Sequence, residues 1–85
     1  MKTPEFLIPI FEMVESLVHE KGTLDENLKK NLDDINNMIV MDLNKMYDSA
    51  IALCSSMERN NLIAKKGELI ALIDAAFAEF VEKYE

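Results

Sequence analysis

The chain has 85 residues, of which 16 are acidic and 9 are basic, which gives a net charge of −7 at pH 7. A chain of this length buries only about 60–65% of the surface that it exposes when unfolded, so its own core is marginal and a partner or a second copy is plausible. The single cysteine cannot form an intramolecular disulfide, and the longest apolar run near the N-terminus, residues 6–11, is too short for a signal peptide or a membrane span. We therefore predict a cytoplasmic protein that does not associate with membranes.

The sequence predicts an all-α fold in a single domain, 1–85. Only two glycines and two prolines interrupt the chain, and no alternation of apolar and polar residues indicates a strand. Apolar residues recur instead at helical spacing. This pattern predicts three helices over about 5–21, 24–59 and 62–84, in an arrangement dominated by the long central helix.

The first predicted helix, 5–21, has one apolar face and ends at a glycine. Gly22 suits the left-handed conformation that closes many helices, and His19 and Lys21 suit the negative end of the helix dipole. Projected at 100° per residue, the residues of the predicted buried face are Leu7, Ile10, Phe11, Val14, Leu17 and Val18.

The second predicted helix, 24–59, begins with a capping box and carries the longest apolar stripe. Thr23 and Glu26 have the spacing at which a hydroxyl and a carboxylate satisfy each other's backbone amides. The stripe keeps its phase throughout and predicts one unbroken helix, although the pair Asn36-Asn37 leaves a break there open. Its members are Leu24, Leu28, Leu32, Ile35, Ile39, Leu43, Met46, Ala50, Leu53 and Met57.

A predicted turn at Asn60-Asn61 separates the second helix from the third, 62–84, because asparagine tolerates the left-handed conformation of a helix end. Gly67 leaves an alternative open, in which a short helical piece ends there and the last helix begins near Glu68. The predicted buried face of the third helix consists of Leu69, Ile70, Ile73, Phe77, Phe80, Val81 and Tyr84.

The predicted helix lengths of about 25, 52 and 35 Å leave the central helix overhanging both neighbours. Its segment 38–51 is apolar nearly all round, which is typical of a helix packed on several sides. As members of the stripe, Met46 and Met57 are expected in the core. The third helix carries a line of small residues that either permits close approach of another helix or simply favours helix on a solvated face: Ala64, Ala71, Ala75 and Ala78. Together these features favour a homodimer that completes a helical bundle.

The sequence indicates no catalytic, cofactor or metal site. Glu12, Glu15 and His19 share a helical face, but it lies opposite the apolar face, whereas metal sites in helical bundles point inward. Cys54 is expected to be a small buried residue, because the one histidine lies on another helix and cannot activate it. With two glycines in the chain, no phosphate-binding loop can be formed. We predict that the protein is not an enzyme and holds no cofactor.

The charge and the apolar surface together predict a protein-binding role. Each predicted helix carries net negative charge, which disfavours nucleic acid as a partner. We predict a non-catalytic adaptor, chaperone-like or inhibitory protein, of a size common in bacteria and phages, that binds another protein through a helical face. Two alternatives stay open: a self-assembling structural unit, and an acidic mimic of nucleic acid that inhibits a DNA- or RNA-binding protein. The candidate partner-binding residues are Met38, Met41, Tyr47, Ile51, Ala71, Ala75 and Ala78.

Overall fold

A computed structural model of the protein describes residues 3–84. A 3₁₀ turn, Glu5–Leu7, leads into helix α1, Ile8–Lys21, which is followed by α2, Glu26–Leu53, and α3, Ser56–Lys83. Within residues 3–84 there is no strand, so the predicted all-α fold is confirmed. The fold is a small helical bundle.

Helix α1 forms largely as the sequence predicts. Pro9 lies in the first turn, where a missing amide proton breaks no helical hydrogen bond. Gly22 closes the helix with a positive φ of 85°, and its amide donates to the carbonyl oxygen of Val18 at 2.7 Å. One prediction for this helix is wrong: Leu17 is 37% exposed, because it lies at the edge of the face that Phe11 and Val18 bury.

The start of α2 corrects the predicted capping box. The N-cap is Asp25 rather than Thr23, and its carboxylate accepts a hydrogen bond from the amide of Leu28 at 2.9 Å. The ammonium group of Lys21 lies 3.2 Å from the same carboxylate. Both contacts lower the pKa of Asp25, the amide hydrogen bond contributing most. Aspartate and threonine are both good caps, and Asp25 lies directly before the first helical residue.

The boundary between the second and third helices differs most from the prediction. The unbroken helix expected to residue 59 ends at Leu53, and the predicted turn at Asn60-Asn61 lies inside α3. The chain turns at Cys54 and Ser55, which both have extended backbone conformations. Ser55 and Glu58 have the spacing of a helix start, although the Ser55 hydroxyl caps no amide here.

Both long helices are continuous at the positions where the sequence leaves a break open. Helix α2 runs without interruption through Asn36-Asn37, and α3 runs through Gly67. The two helices therefore have the same length, 28 residues each, while α1 has 14. The expected long central helix with two shorter neighbours is replaced by an antiparallel hairpin of equal arms, with α1 alongside half of it.

The core lies entirely in the half of the hairpin that α1 accompanies. Stacked and edge-on rings of Phe11, Phe77 and Phe80 join α1 to α3. The buried residues of the cluster are Leu7, Phe11, Val14, Val18, Leu24, Leu28, Leu32, Ile73, Ala76, Phe77 and Phe80. Every residue predicted on the inner face of the third helix is buried or half-buried. The molecule is elongated, with extents of 51 × 22 × 18 Å, because half of the hairpin extends beyond this core.

Candidate protein-interaction surface

The feature that distinguishes this fold is the half of the hairpin that no third helix covers. We call residues 38–72 the open half, and the rest of the described chain, 3–37 and 73–84, the closed half. No residue of the open half is buried. Its large exposed apolar side chains are Met38, Met41, Met46, Leu53, Met57, Ile63 and Leu72.

Two residues on one line of α2 contrast the covered and the uncovered parts of that helix. Met46 follows Leu28 by 18 residues, which is about five helical turns, so both side chains leave the helix in the same direction. Leu28 is 5% exposed in the closed half, and Met46 is 68% exposed in the open half. The apolar face of α2 therefore continues beyond the end of its cover. The prediction that Met46 lies in the core is wrong for this reason. The same prediction for Met57 is wrong because the chain turns before it: Met57 lies in the first turn of α3 and is 84% exposed.

The same face continues on α3 and forms a groove. Leu62 precedes Phe80 by 18 residues and lies on its line, and Phe80 is the residue on which Phe11 of α1 stacks. The side of the hairpin that α1 fills in the closed half is thus an apolar trough in the open half. We call this trough the open groove. Helical register places in it two exposed residues, Met46 and Leu53, and five half-buried ones, Ile39, Leu43, Ala50, Leu62 and Leu69.

The open half and the closed half also differ in net charge. Residues 38–72 contain four acidic and four basic side chains, so the open half is neutral. The remaining residues contain twelve acidic and five basic side chains and carry the whole net charge of −7. Within the open half, the Lys66 ammonium lies 3.2 Å from the Asp48 carboxylate and links the two arms of the hairpin. The uncovered surface is therefore both apolar and electrically balanced.

The partner-binding residues predicted on α2 fall into two groups. Met38 and Met41 are exposed, and Met41 projects about 140° away from Met46 and hence away from the open groove. Tyr47 and Ile51 are half-buried. They lie on the lines of Lys29 and Asp33, 18 residues earlier, and those two residues line a cleft between α2 and α3. This back cleft, of about 440 Å³, has no lining residue from α1.

The predicted alanine line of α3 borders the same back cleft. Ala78 is exposed and lines the cleft, and Ala71, also exposed, precedes it by about two turns on the same side. Ala75 is half-buried. The structure therefore brings Tyr47 and Ile51 to the same side as these alanines. It does not unite them with Met38 and Met41.

Sequence reasoning did not select the residues that line the open groove. Met46 and Leu53 were placed on the buried stripe because they continue it along α2 without a change of phase. The sequence predicts that the second helix overhangs its neighbours, and the structure shows the overhang, since the 14 residues of α1 cannot cover a stripe that runs for 28 residues; the candidate residues, however, were chosen off this stripe. A stripe longer than its cover predicts an exposed apolar end.

The histidine and the cysteine of the chain, the side chains best suited to catalysis or metal binding, lie far apart. His19 is in the last turn of α1, whereas Cys54 is half-buried at the turn between α2 and α3, at the opposite end of the hairpin. Glu15 lies 4.0 Å from His19 on the exposed face of α1. Among residues 3–84, no three side chains of the metal-ligating types come together. No helix in that part of the chain has both the length and the apolar character needed to cross a membrane.

Comparison of the chain with protein-family models, with curated proteins and with solved structures gives no match in any of the three.

Proposed function

We propose that the protein is a non-catalytic protein–protein interaction module of the adaptor, chaperone-like or inhibitory kind, and that it binds through the open half of its hairpin. The observation that carries the proposal is the contrast between Leu28 and Met46, which share one line of α2 and differ from 5% to 68% in exposure. An apolar stripe that continues uncovered over several turns is typical of a surface that another protein covers.

The chemistry of the exposed side chains supports this proposal. Four of the seven large apolar residues in the open half are methionines, whose flexible thioether chains adapt to the shape of a partner. The neutral charge of the open half removes the electrostatic penalty that the acidic closed half would impose on most cellular proteins. A cytoplasmic location fits the same proposal, since Cys54 is a free thiol.

Site-specific photo-crosslinking in cells tests the proposal directly. A photo-reactive amino acid replaces Met46 in the open groove, and as a control it replaces Glu12, which is exposed on α1 in the closed half. We expect a discrete crosslinked product from position 46 and none from position 12. Products of equal yield from both positions, or none from either, would contradict the proposal.

The same experiment separates the two alternative functions. A product from position 46 that contains only further copies of the chain would favour a self-assembling structural unit. The acidic mimic predicts the opposite distribution, with products from the acidic closed half and none from the open groove. Its support is weaker, because the net charge of −7 spread over this half is sparse compared with duplex DNA, which carries one charge about every 1.7 Å.

A further inference from the structure

We infer that the open groove is filled by the open half of a second copy of this chain, paired antiparallel by a two-fold axis, so that the hairpin tip of each copy abuts the start of α1 in the other. This inference rests on the proposed function, because it concerns the same surface: the second copy covers the groove weakly and leaves it when a different protein binds there. Four features of the molecule support it: the length of the open groove, the charge of the open half, the exposed apolar residues at the two ends of the groove, and the area of the open face.

The first feature is the match between the vacant space and a second hairpin. Helix α1 has 14 residues against 28 in each arm, so it covers about 21 Å and leaves a groove of about the same length. The open half of a second copy has that same length. Placed front to front and inverted, two open halves overlap completely and form a four-helix bundle, and each α1 continues the bundle beyond the overlap.

The second feature is charge, which selects both the surface and the direction of pairing. Two molecules of net charge −7 can approach closely only through a surface that is itself neutral, as the open half is. Parallel pairing would bring the two acidic halves side by side. Antiparallel pairing separates them by the groove, about 20 Å long, which exceeds the screening length of about 8 Å at physiological salt.

The third feature is a match of apolar side chains at the ends of the overlap. Leu53, at the hairpin tip, is 89% exposed, and Met57 beside the tip is also exposed. Phe6 and Ile8 are exposed at the start of α1, where the part of the hairpin that α1 covers ends. In the antiparallel pair the tip of one copy reaches this level of the other. The two-fold axis repeats this contact at the other end of the overlap, so in each copy Leu53 and Met57 are covered by Phe6 and Ile8 of the other copy.

The fourth feature is area. An open face about 20 Å long and two helices wide, about 20 Å, measures on the order of 400 Å² in projection. The accessible surface of interlocking side chains exceeds its projection, so two such faces bury about 1,000 Å² or more, near the lower bound for a specific interface. We therefore expect a dimer that dissociates on dilution rather than a permanent one.

The first test measures molar mass in solution by light scattering over a wide range of protein concentration. We expect a reversible monomer–dimer equilibrium in the unmodified chain. Met46→Asp introduces a charge into the groove and raises the dimer dissociation constant at least about tenfold. Met41→Asp is the matched control: it lies on the same helix, is 58% exposed, adds the same charge and points away from the groove, so the constant changes little.

The second test reads the direction of pairing and needs no destabilising change in the groove. Ile8→Cys adds a thiol at the start of α1 of a chain that retains Cys54 at the tip. Mild oxidation then links Cys54 of one copy to the introduced thiol of the other, giving a disulfide-bonded dimer. Met13→Cys, on the outward side of α1, is the control and gives no such product. The unmodified chain also gives none, because the two tips are about 20 Å apart.

The outcomes separate this inference from the function on which it rests. A monomer at every concentration overturns the inference. The interaction module itself survives in that case if position 46 still crosslinks to a different protein in cells. A dimer in which Cys54 links to Cys54 means that the tips meet, and it overturns the antiparallel arrangement. A dimer that Met46→Asp leaves intact and Met41→Asp dissociates overturns the choice of groove.

Discussion

The ring of Phe11 stacks on the ring of Phe80, with centroids 4.7 Å apart and planes inclined by 12°. The same Phe11 ring meets Phe77 edge-on at 5.0 Å. These contacts attach α1 to the C-terminal half of α3 and hold it in the groove of the closed half. Across the same interface, the Lys83 ammonium lies 3.7 Å from the Glu15 carboxylate, an exposed pair of small effect. The attachment of α1 is therefore mainly apolar, since Leu7, Val14 and Val18 are buried in the same core as Phe11.

Removing the Phe11 ring should destabilise the whole fold. Phe11→Ala leaves a cavity between α1 and α3, and the expected loss is about 3–5 kcal/mol of the free energy of unfolding. That is a large part of the stability available to a domain of this size. Urea denaturation followed by circular dichroism measures the change. Met13→Ala, an exposed position on the same helix, is the control and should shift stability by about 0.5 kcal/mol or less.

A small effect of Phe11→Ala would contradict the described core. It would mean that α1 adds little to the stability of the hairpin and that the closed half folds without it. A loss of helix content limited to that of α1 would point the same way, because the hairpin would then be stable alone.

The two glycines of the chain should respond to alanine in opposite directions. Gly22 has a φ of 85°, which an alanine adopts only with strain, so Gly22→Ala should destabilise the protein by about 1 kcal/mol. Gly67 lies inside α3 with no atom within 4 Å of an added Cβ. Gly67→Ala should therefore stabilise the protein by about 0.5–1 kcal/mol.

Thermal unfolding of the two variants beside the unmodified chain checks this pair. Because both changes add the same methyl group, hydrophobicity cannot explain a difference in sign. Destabilisation by Gly67→Ala would contradict a continuous helix at that position. It would revive the alternative in which a helical piece ends at Gly67.

The cap of α2 should make stability depend on pH in the acidic range. The pKa of Asp25 is lowered by the hydrogen bond from the Leu28 amide and by the nearby Lys21 ammonium. A carboxyl group whose pKa is lower in the folded state stabilises the fold fully above its unfolded pKa, about 4, and loses that contribution as the pH falls through the folded value. Asp25→Asn keeps a capping oxygen without a titrating proton.

Urea midpoints at a series of pH values from 7 to 2 measure this contribution. We expect the unmodified chain to be more stable than Asp25→Asn near pH 6, and the difference to shrink as Asp25 becomes protonated. A difference that stays constant across the series would contradict a role for the charge of Asp25. Both proteins carry the same other carboxylates, so the comparison isolates this residue.

The periodicity of the sequence predicts which face of each helix is apolar, but it does not say what covers that face. Leu28 and Met46 belong to one stripe and are indistinguishable by phase, yet only Leu28 belongs to the buried cluster that contains residues of α1. On the inner face of α3, Ile73 and Phe77 are buried in the core, whereas Leu69 and Ile70, in the open half, are only half-buried. Burial depends on the length of the neighbouring element, and that requires correct helix boundaries.

The boundary between α2 and α3 was the weakest point for the same reason. The stripe keeps its phase from Leu53 to Met57, on either side of Ser55, so periodicity gives no sign that the chain reverses there. Two sequence features predict different positions for the turn. The spacing of Ser55 and Glu58 predicts a helix start at Ser55, whereas Asn60-Asn61, which tolerates the left-handed conformation, predicts a helix end five residues later. In the structure Ser55 is the N-cap of α3. The predicted end of the second helix, residue 59, lies six residues beyond the observed end, Leu53. With the observed end, α2 and α3 have equal lengths and form a hairpin, instead of one long helix with two shorter neighbours.

The side chain of Asn36 lines the back cleft. Its Oδ1 atom is buried and accepts no hydrogen bond from any residue between 3 and 84. A buried acceptor without a donor costs about 1–3 kcal/mol, so Asn36→Leu, which has a similar volume, should stabilise the protein. Asn37→Leu is the control, because Asn37 is exposed and its replacement relieves no buried group.

Equilibrium unfolding gives the sign of the Asn36→Leu effect, and light scattering of the same sample gives its effect on pairing. Asn36 lines the cleft on the side of the hairpin away from the open groove. We therefore expect higher stability with an unchanged monomer–dimer equilibrium. A loss of stability would mean that the amide makes a hydrogen bond in solution, within the chain or between two copies. A weakened dimer would place that partner in the second copy, because only pairing brings another chain to this residue, and would move the interface from the open groove to the back cleft.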